Sequence, residues 1–316
     1  MQPIFLKPVL QEKIWGGKKL QTDFNLTLPS DKVGESWSIS AHPNGQSTVI
    51  SPAEFQGMTL TELYAEHAEL FHQQTLPTFP LLIKILDASD NLSVQVHPED
   101  DYARENENGE LGKTECWYVL DAKVGAKLVY GHTAKTKEEF NDKINREQWQ
   151  ELFIEEEVKA GDFFYIPAGT LHAIGEGILI YEVQQNSDTT YRVYDYDRVD
   201  KDGNKRELHI EKTKDVTKVP FEKVTTNPKA EKLEGATVTY LADEKYFSVF
   251  KVEVEGQVSL EKTQTGNLFT VLNGSGNVEI EGSIYDVKKG DSFILTTDCS
   301  NYTLKGNMFL VGSYDR

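Results

Sequence analysis

The chain has 316 residues and a formal net charge of −18 at pH 7. That length can bury a large core and predicts two domains, and so acidic a chain argues against nucleic acid and anionic membranes as partners. No stretch approaches the roughly 18 apolar residues of a membrane span, and the first residues lack the features of a signal peptide. Two widely separated cysteines suit a reducing compartment, so we expect a cytoplasmic protein.

The N-terminal part predicts short strands, turns and one helix. Trp15 precedes a Gly-Gly turn and is either a core residue or the wall of a pocket. Residues 33–42 alternate like a strand that ends at a Pro-Asn-Gly turn. His42 beside that turn is interpreted as a hydrogen-bonded loop histidine rather than a metal ligand. A helix is predicted over about residues 58–72, with Thr59 and Glu62 as a capping box.

Two further histidines, His67 and His72, lie on or beside this helix and are interpreted as structural or solvent-facing. An apolar strand is predicted over residues 81–87, interrupted by Lys84. One interpretation is a structural lysine that snorkels to the surface or forms an ion pair. The other is a lysine that faces a pocket and binds an anionic ligand there. The residues alone leave both alternatives open.

The segment 91–174 contains the residues that most clearly indicate a metal site. Gln95 and His97 are two residues apart, so on a strand both side chains lie on one face. Glu115 begins an apolar run and is expected to face inwards, while Cys116 points to the opposite face as a core thiol. The pattern Gly-Asp-x4-Pro-x-Gly-x2-His ends at His172. Two imidazoles, a carboxylate and an amide could together bind one divalent metal, and Zn²⁺ accepts such nitrogen and oxygen ligands.

Beyond this segment the sequence predicts one more helix and then mainly strands. Residues 136–153 have one apolar helical face, and Thr136 and Glu139 match a second capping box. Residues 218–234 are polar and are predicted to connect two domains, which we place at 1–235 and 236–316. Residues 273–282 predict a hairpin in the second domain.

A short sequence pattern of the first domain recurs in the second domain. Lys-Gly-Asp-Ser-Phe-Ile-Leu at 289–295 resembles Ala-Gly-Asp-Phe-Phe-Tyr-Ile at 160–166, but no histidine follows residue 235. These patterns predict a mainly β fold of two jelly-roll-like barrels, with a few helices inserted in or packed on the N-terminal part and a metal-free C-terminal domain.

The run that ends at His172 resembles the second motif of the cupin superfamily. Four segments together resemble type I mannose-6-phosphate isomerases: 92–98 with Gln-Val-His-Pro, 112–115 with Gly-Lys-Thr-Glu, 167–173 with Pro-Ala-Gly-Thr-Leu-His-Ala, and 186–192 with Asn-Ser-Asp-Thr-Thr-Tyr-Arg. The likeness extends from residue 14 to the Arg-Glu-Leu-His segment at 206–209. The longer family members have a large helical domain and Lys-Pro-Glu where this chain has Lys-Thr-Glu, so the chain resembles the compact bacterial form.

The resemblance implies an enzyme that interconverts mannose 6-phosphate and fructose 6-phosphate through a cis-enediol. It implies one Zn²⁺ per chain, bound by Gln95, His97, Glu115 and His172, and it assigns Arg192 to the active site. Lys113 and Glu182 are both expected proton carriers. The substrate-binding residues that we expect are Lys84 and Ser93 for the phosphate, together with Trp15 and Asp188; an equally good interpretation of Asp188 is a turn residue.

Two other functions fit part of the pattern. Two histidines and one carboxylate also suit Fe(II) in a cupin oxygenase, although Gln95 and the pair Lys84 and Ser93 argue against it. A non-catalytic sugar-phosphate-binding cupin is the other alternative. For the isomerase we expect a small sugar phosphate as substrate, no nucleic-acid or membrane partner, and a monomer or weak homodimer.

Overall fold

The computed structural model describes residues 2–71, 77–199, 202–261, 263, 265–299 and 301–316. These residues form 22 strands and a few short helices. None of the helices in the described ranges is long and apolar enough to cross a membrane. The mainly β fold that the sequence predicts is therefore confirmed.

The strands follow one another in the N-terminal two thirds as β1 (Ile4–Lys7), β2 (Val9–Gly17), β3 (Val33–Ile39), β4 (Ala41–His42), β5 (Gly45–Gln46), β6 (Thr48–Ser51), β7 (Leu81–Ala88), β8 (Val94–Val96), β9 (Glu115–Ala122), β10 (Lys127–His132), β11 (Phe153–Glu157), β12 (Phe163–Ile166), β13 (His172–Ile174), β14 (Ile178–Gln185) and β15 (Tyr191–Tyr194). The C-terminal third adds β16 (Lys229–Leu233), β17 (Ala236–Asp243), β18 (Phe247–Leu260), β19 (Asn267–Ile280), β20 (Ser283–Lys288), β21 (Ser292–Leu295) and β22 (Tyr302–Asp315). The helices are α1 (Lys19–Thr22), α2 (Leu60–Glu66), α3 (Asp100–Asn106), α4 (Lys137–Asn145), α5 (Trp149–Leu152) and α6 (Ile210–Val216).

Two sheets of the N-terminal part carry the candidate site. One has the strand order β12-β9-β14-β7-β3-β2, and the other has the order β11-β10-β13-β8-β15. Every residue of β7 and β14 is buried, as expected for central strands with nearly continuous apolar sequence. The two sheets are compatible with a jelly-roll arrangement, and the side chains between them include a cluster that contains Trp15, Trp117 and Tyr130.

A third, nine-stranded sheet contains the C-terminal strands and also β1 and β6. β1 pairs with β21 in antiparallel register, so the N-terminus of the chain extends the C-terminal sheet. The predicted connection over residues 218–234 is only partly irregular, because β16 pairs with β17 as an edge strand. The domain boundary at residue 235 stays a prediction.

The echoed Gly-Asp turn has the same geometry in both parts of the chain. Gly161 and Gly290 have φ values of +93° and +95°, a region that glycine enters without steric cost. The carboxylates of Asp162 and Asp291 each accept a hydrogen bond from the backbone N–H three residues earlier, at 2.9 Å in both cases. The internal similarity in sequence thus corresponds to one repeated turn.

The first predicted helix is shorter than its prediction. The Thr59–Glu62 capping box is present, but α2 ends at Glu66 because His67 adopts a non-helical conformation, and a 3₁₀ turn follows at Ala68–Leu70. His67 lies 3.0 Å from the carboxylate of Glu69 near the surface, whereas His72 lies outside the described residues.

The second predicted helix, over residues 136–153, is interrupted. Glu147 has a φ of +53°, a left-handed conformation that cannot continue a helix, so α4 and α5 are separate. The Thr136 hydroxyl accepts a hydrogen bond from the Glu139 N–H, but the Glu139 carboxylate accepts from the N–H of Lys135 rather than that of Thr136. The second half of the predicted capping box is therefore wrong by one residue.

Candidate metal centre and active site

Two histidines and one glutamate converge between the two N-terminal sheets. His97 follows β8, Glu115 begins β9 and His172 begins β13. The Nε2 atoms of His97 and His172 lie 3.4 Å and 3.2 Å from the two carboxylate oxygens of Glu115. All three side chains are about 1 % exposed. The candidate ligand atoms lie within 4.8 Å of one another, which is close enough for one ion to contact all three.

Contacts with backbone carbonyls fix the tautomer and the orientation of both imidazoles. His97 Nδ1 lies 2.8 Å from the Thr189 carbonyl oxygen, and His172 Nδ1 lies 2.9 Å from that of Thr170. A carbonyl only accepts, so each Nδ1 carries the proton and each Nε2 presents a lone pair towards Glu115. Such a backbone contact is the usual support of a metal-binding histidine.

The buried polar atoms of this cluster test whether a metal fits. His97 Nε2, His172 Nε2 and Glu115 Oε2 are buried and have no hydrogen-bond partner among the described residues. Buried polar atoms are rarely left unpaired, and these are two nitrogen lone pairs and a carboxylate oxygen, which are donors that a divalent transition metal accepts. The residues present therefore fit a metal ion.

Electrostatics keeps these ligands in their metal-binding protonation states. Burial, followed by the charge of Lys113, lowers the pKa of His97 to about 3, and burial also lowers the pKa of His172. Burial alone would raise the pKa of Glu115, but the neighbouring groups, above all the charge of Lys113, lower it well below the usual value. The cluster thus combines neutral imidazoles with an ionised carboxylate.

Gln95, the fourth predicted ligand, lies beside this cluster. It is half-buried on β8, directly opposite His172 in the pairing of β8 with β13. The Ser93 hydroxyl lies 3.5 Å from its side-chain oxygen, so the two residues share one face of the strand, as their spacing predicts. Lys113 is also close to the cluster, with its Nζ 3.4 Å from Glu115 Oε2.

A buried row of charges forms the wall next to the cluster. Lys84 on β7 lies between Glu182 on β14, at 3.5 Å, and Glu35 on β3, at 3.8 Å. The register of the three strands brings these side chains together, since Lys84 is paired with Glu182 on one side and with Trp37 on the other. Burial alone would lower the pKa of Lys84, but the two carboxylates outweigh it and raise the pKa.

Glu182 is a buried carboxylate whose pKa is raised towards neutrality. Burial and the negative charge of Glu115 raise its pKa to about 7, against the opposing effect of Lys84 and Lys113. The Trp117 indole N–H donates a hydrogen bond of 2.8 Å to Glu182 Oε2, while Oε1 has no hydrogen-bond partner among the described residues. The carboxylate is thus hydrogen-bonded through one oxygen, while the other lies 3.5 Å from the Lys84 ammonium.

Arg192 lies on the opposite side of the cavity, on β15. Its Nε donates to the Ser93 hydroxyl at 3.1 Å and its Nη1 donates to the Glu207 carbonyl at 2.9 Å. Asp188 accepts a hydrogen bond from the Asn44 side chain at 2.9 Å. Burial would raise the pKa of Asp188, but the charge of Lys84 and this hydrogen bond lower it.

One cavity connects these groups. Of the eleven site residues predicted from sequence, ten line it, and the remaining one, His97, lies 3.4 Å from the cavity residue Glu115. The two interpretations of Trp15 both hold, because its side chain packs in the core cluster and also lines the cavity. His42 accepts a hydrogen bond from the Asn44 N–H at 3.1 Å, as expected of a loop histidine.

Sequence reasoning missed three charged residues of the cavity wall, namely Lys13, Glu35 and Arg206. Glu35 accepts a 2.6 Å hydrogen bond from the Trp37 indole and lies 3.3 Å from Lys13. An available signal was a glutamate inside the alternating strand 33–39, where a carboxylate is buried only with a partner. Arg206 binds both oxygens of Asp195, at 2.8 Å and 2.6 Å.

Fold and site together define a jelly-roll-like β protein whose paired histidines and carboxylate suit a divalent metal. Comparison with known proteins narrows this class. Residues 4–120 match the family model "Phosphomannose isomerase type I, catalytic domain", and residues 236–315 match "Mannose-6-phosphate isomerase, cupin domain". The chain is 47 % identical over 313 residues to the mannose-6-phosphate isomerase of Streptococcus mutans, covering 99 % of this chain and 98 % of that protein.

Solved structures agree with these matches. The crystal structure of the mannose 6-phosphate isomerase from Bacillus subtilis superposes with a TM-score of 0.97 at 45 % identity, covering 99 % of this chain and 100 % of that one. A zinc-bound mannose 6-phosphate isomerase shares the fold, with a TM-score of 0.81 at 16 % identity over the full length of both chains. The chain belongs to the type I phosphomannose isomerase family.

Proposed function

We propose that this protein is a zinc-dependent aldose–ketose isomerase that interconverts mannose 6-phosphate and fructose 6-phosphate through a cis-enediol. One observation carries the proposal: a metal-suited cluster, a carboxylate with a pKa near 7 and several cations line the same cavity. The curated and solved relatives bear the name of this activity.

The metal would be held by His97, Glu115 and His172, with Gln95 as the fourth proposed ligand. Zn²⁺ is the proposed ion because it accepts mixed nitrogen and oxygen ligands and is redox-inert. When bound, it would act as a Lewis acid towards the substrate oxygens at C1 and C2. The same ligand types also suit iron, so the bound metal has to be measured.

Glu182 is the proposed proton carrier. The reaction requires a base that removes the proton from C2 of the aldose and returns it to C1, and a pKa near the working pH suits both halves of this task. Glu182 has such a pKa, and its Oε1 is free of hydrogen bonds within the described part of the chain. Lys113 is the alternative carrier. Both candidates have a charged neighbour at a similar distance, Lys113 Nζ at 3.4 Å from Glu115 and Glu182 Oε1 at 3.5 Å from Lys84, so the choice of Glu182 rests on its pKa.

Arg192 is proposed to stabilise the negative charge that develops on the enediol. Its Nε donates to the Ser93 hydroxyl and its Nη1 to the Glu207 carbonyl, and neither partner neutralises the guanidinium. Lys84 and Ser93 are the proposed phosphate contacts, with Trp15 and Asp188 as further cavity residues. A phosphate that binds Lys84 would have to share it with Glu35 and Glu182.

The remaining assignments are also proposals. Residues 1–235 would form the catalytic domain and residues 236–316 a metal-free domain that supports it through β1. The cytoplasmic location and the monomer or weak homodimer stay predictions; Cys116 and Cys299 are free, buried thiols.

The test is a coupled assay for fructose 6-phosphate formed from mannose 6-phosphate. Activity should be abolished by a chelator and restored by Zn²⁺, and elemental analysis should find one zinc per chain. Absence of turnover in the zinc-loaded protein would refute the function. Oxygen uptake with bound iron would instead support an oxygenase.

A further inference from the structure

Arg192 is held by residues 207–209, a segment that the mechanism above does not use. β15 is an edge strand of its sheet, and edge strands present backbone groups without strand partners. At Arg192 the backbone N–H and the backbone carbonyl are both bound by one residue, His209. The His209 N–H donates to the Arg192 carbonyl at 2.7 Å, and the Arg192 N–H donates to His209 Nδ1 at 3.2 Å.

The same segment also contacts the guanidinium. Arg192 Nη1 donates to the carbonyl of Glu207, two residues before His209. The segment therefore fixes Arg192 at its backbone and at the end of its side chain, while Ser93 fixes Nε from the other side. Two hydrogen bonds on the side chain and two on the backbone restrict the position of the guanidinium far more than one does.

The segment is itself fixed on both flanks. Before it, Arg206 forms a two-point ion pair with Asp195. After it, the His209 carbonyl accepts a hydrogen bond from Thr213 N–H at the start of α6. His209 thus belongs to a structure that is rigid enough to position a neighbour.

We propose that His209 is a positioning residue for Arg192: its Nδ1 lone pair and backbone N–H hold β15 so that the guanidinium faces the substrate. The inference rests on the proposed isomerase function and deepens it by adding a residue that does not touch the substrate. Part of the Arg-Glu-Leu-His pattern at residues 206–209 thereby acquires a role.

The contact requires His209 to be neutral. A protonated imidazole would place an N–H against the Arg192 N–H, and two donors repel each other. Burial is the main cause that lowers the pKa of His209; Arg192 and Lys212 lower it further, whereas Glu207 and Glu107 raise it. The ring of Tyr191 lies 6.0 Å from the imidazole.

Two variants separate the lone pair from the rest of the side chain. In H209N the amide oxygen can occupy the position of Nδ1 and accept the Arg192 N–H. In H209Q the amide reaches the position of Nε2 instead, so the acceptor at Nδ1 is lost while polarity and size change little.

The first readout needs neither substrate nor metal. Hydrogen exchange of the Arg192 backbone amide should accelerate at least tenfold in H209Q and stay near the wild-type rate in H209N. The Val183 amide on the buried strand β14 serves as a control and should be unchanged in both. An Arg192 amide that is equally protected in H209Q would overturn the proposal.

The second readout is steady-state kinetics of the zinc-loaded enzymes. Because a displacement of about 1 Å can cost on the order of 10²-fold in rate, we expect H209Q to lower kcat by roughly tenfold with KM within about twofold, and H209N to restore kcat. An unchanged kcat in H209Q, or an H209N enzyme as slow as H209Q, would also overturn it. If the wild type itself shows no isomerisation, the proposed function fails, and the exchange experiment still decides whether His209 holds Arg192.

Discussion

Replacing Lys84 with methionine tests the buried row of charges most directly. Methionine preserves most of the packing of the lysine stem and removes only the charge. In the structure Lys84 is 3 % exposed and lies 3.5 Å from Glu182 and 3.8 Å from Glu35, which are 4 % and 8 % exposed. The substitution therefore leaves two carboxylates buried without their shared cation.

The expected loss of stability follows from these distances. At an effective dielectric constant of about 20, two unit charges about 3.5 Å apart attract each other by roughly 5 kcal/mol before desolvation is counted. Removing one partner of a buried ion pair costs about 3–5 kcal/mol in measured cases. Glu35 keeps its hydrogen bond from Trp37 and its contact with Lys13, and Glu182, whose pKa is about 7, can take up a proton. We therefore expect the lower end of this range, about 3 kcal/mol, for Lys84→Met.

The assay is urea unfolding of wild type and Lys84→Met at equal zinc concentration, near neutral pH. The double variant Glu35→Gln/Lys84→Met is the matched control, because it removes one of the stranded charges and should recover part of the loss. A loss below about 1 kcal/mol, the range of an exposed ion pair, would refute the reasoning.

The pH dependence adds a second check. The pKa of Lys84 is raised in the folded state, so its stabilisation is complete below the unfolded-state pKa and is lost only as the pH rises through the folded value. Lys84 itself therefore stays charged between pH values of about 5 and 8, and any change of the deficit in this range comes from its carboxylate partners. In the variant, the buried carboxylates take up protons as the pH falls, so the deficit relative to wild type should shrink towards the acid end. A deficit that grows on acidification would contradict this account.

Three further predictions concern the site and the fold. Glu182→Gln should lower kcat by about 10²–10⁴-fold without loss of bound zinc, in the coupled assay with metal analysis; a smaller effect would favour Lys113 as the proton carrier. His172→Ala should lose both metal and activity, and activity that survives without metal would contradict the ligand set. Thr59→Ala should cost about 1 kcal/mol in the free energy of unfolding through loss of the α2 cap, and Thr59→Ser, which keeps the hydroxyl, should cost much less.

The metal cluster could be predicted from sequence because its residues lie in local patterns. Gln95 and His97 share a face through the two-residue period of a strand, and His172 ends a turn pattern of Gly, Asp and Pro. The structure brings the candidate ligand atoms of His97, Glu115 and His172 within 4.8 Å of one another and pairs Gln95 with His172 across β8 and β13; that Gln95 is a ligand stays a prediction. The repeated Gly-Asp turn was visible for the same reason, since its conformation depends on a few adjacent residues.

The charged wall could not be predicted in this way. The partners of Lys84 come from β3 and β14, about 50 and 100 residues away along the chain, and only the register of β3, β7 and β14 brings them together. The sequence therefore left Lys84 with two interpretations, and the structure shows both features, an ion-paired lysine that also lines the cavity. The break between α4 and α5 depends on the conformation of Glu147, which an apolar periodicity does not report.

The charge of the cavity explains how a chain of net charge −18 can accept a dianionic substrate. Five cationic and four acidic side chains line the cavity, and at neutral pH Glu182 is only partly ionised because its pKa lies near 7. The cavity alone is therefore slightly positive, and a divalent ion would make it more so. A sugar phosphate would then neutralise charge that the metal introduces, so metal and substrate should each bind more tightly in the presence of the other. The acidic exterior does not oppose this strongly, because beyond about 8 Å exposed charges are largely screened at physiological salt.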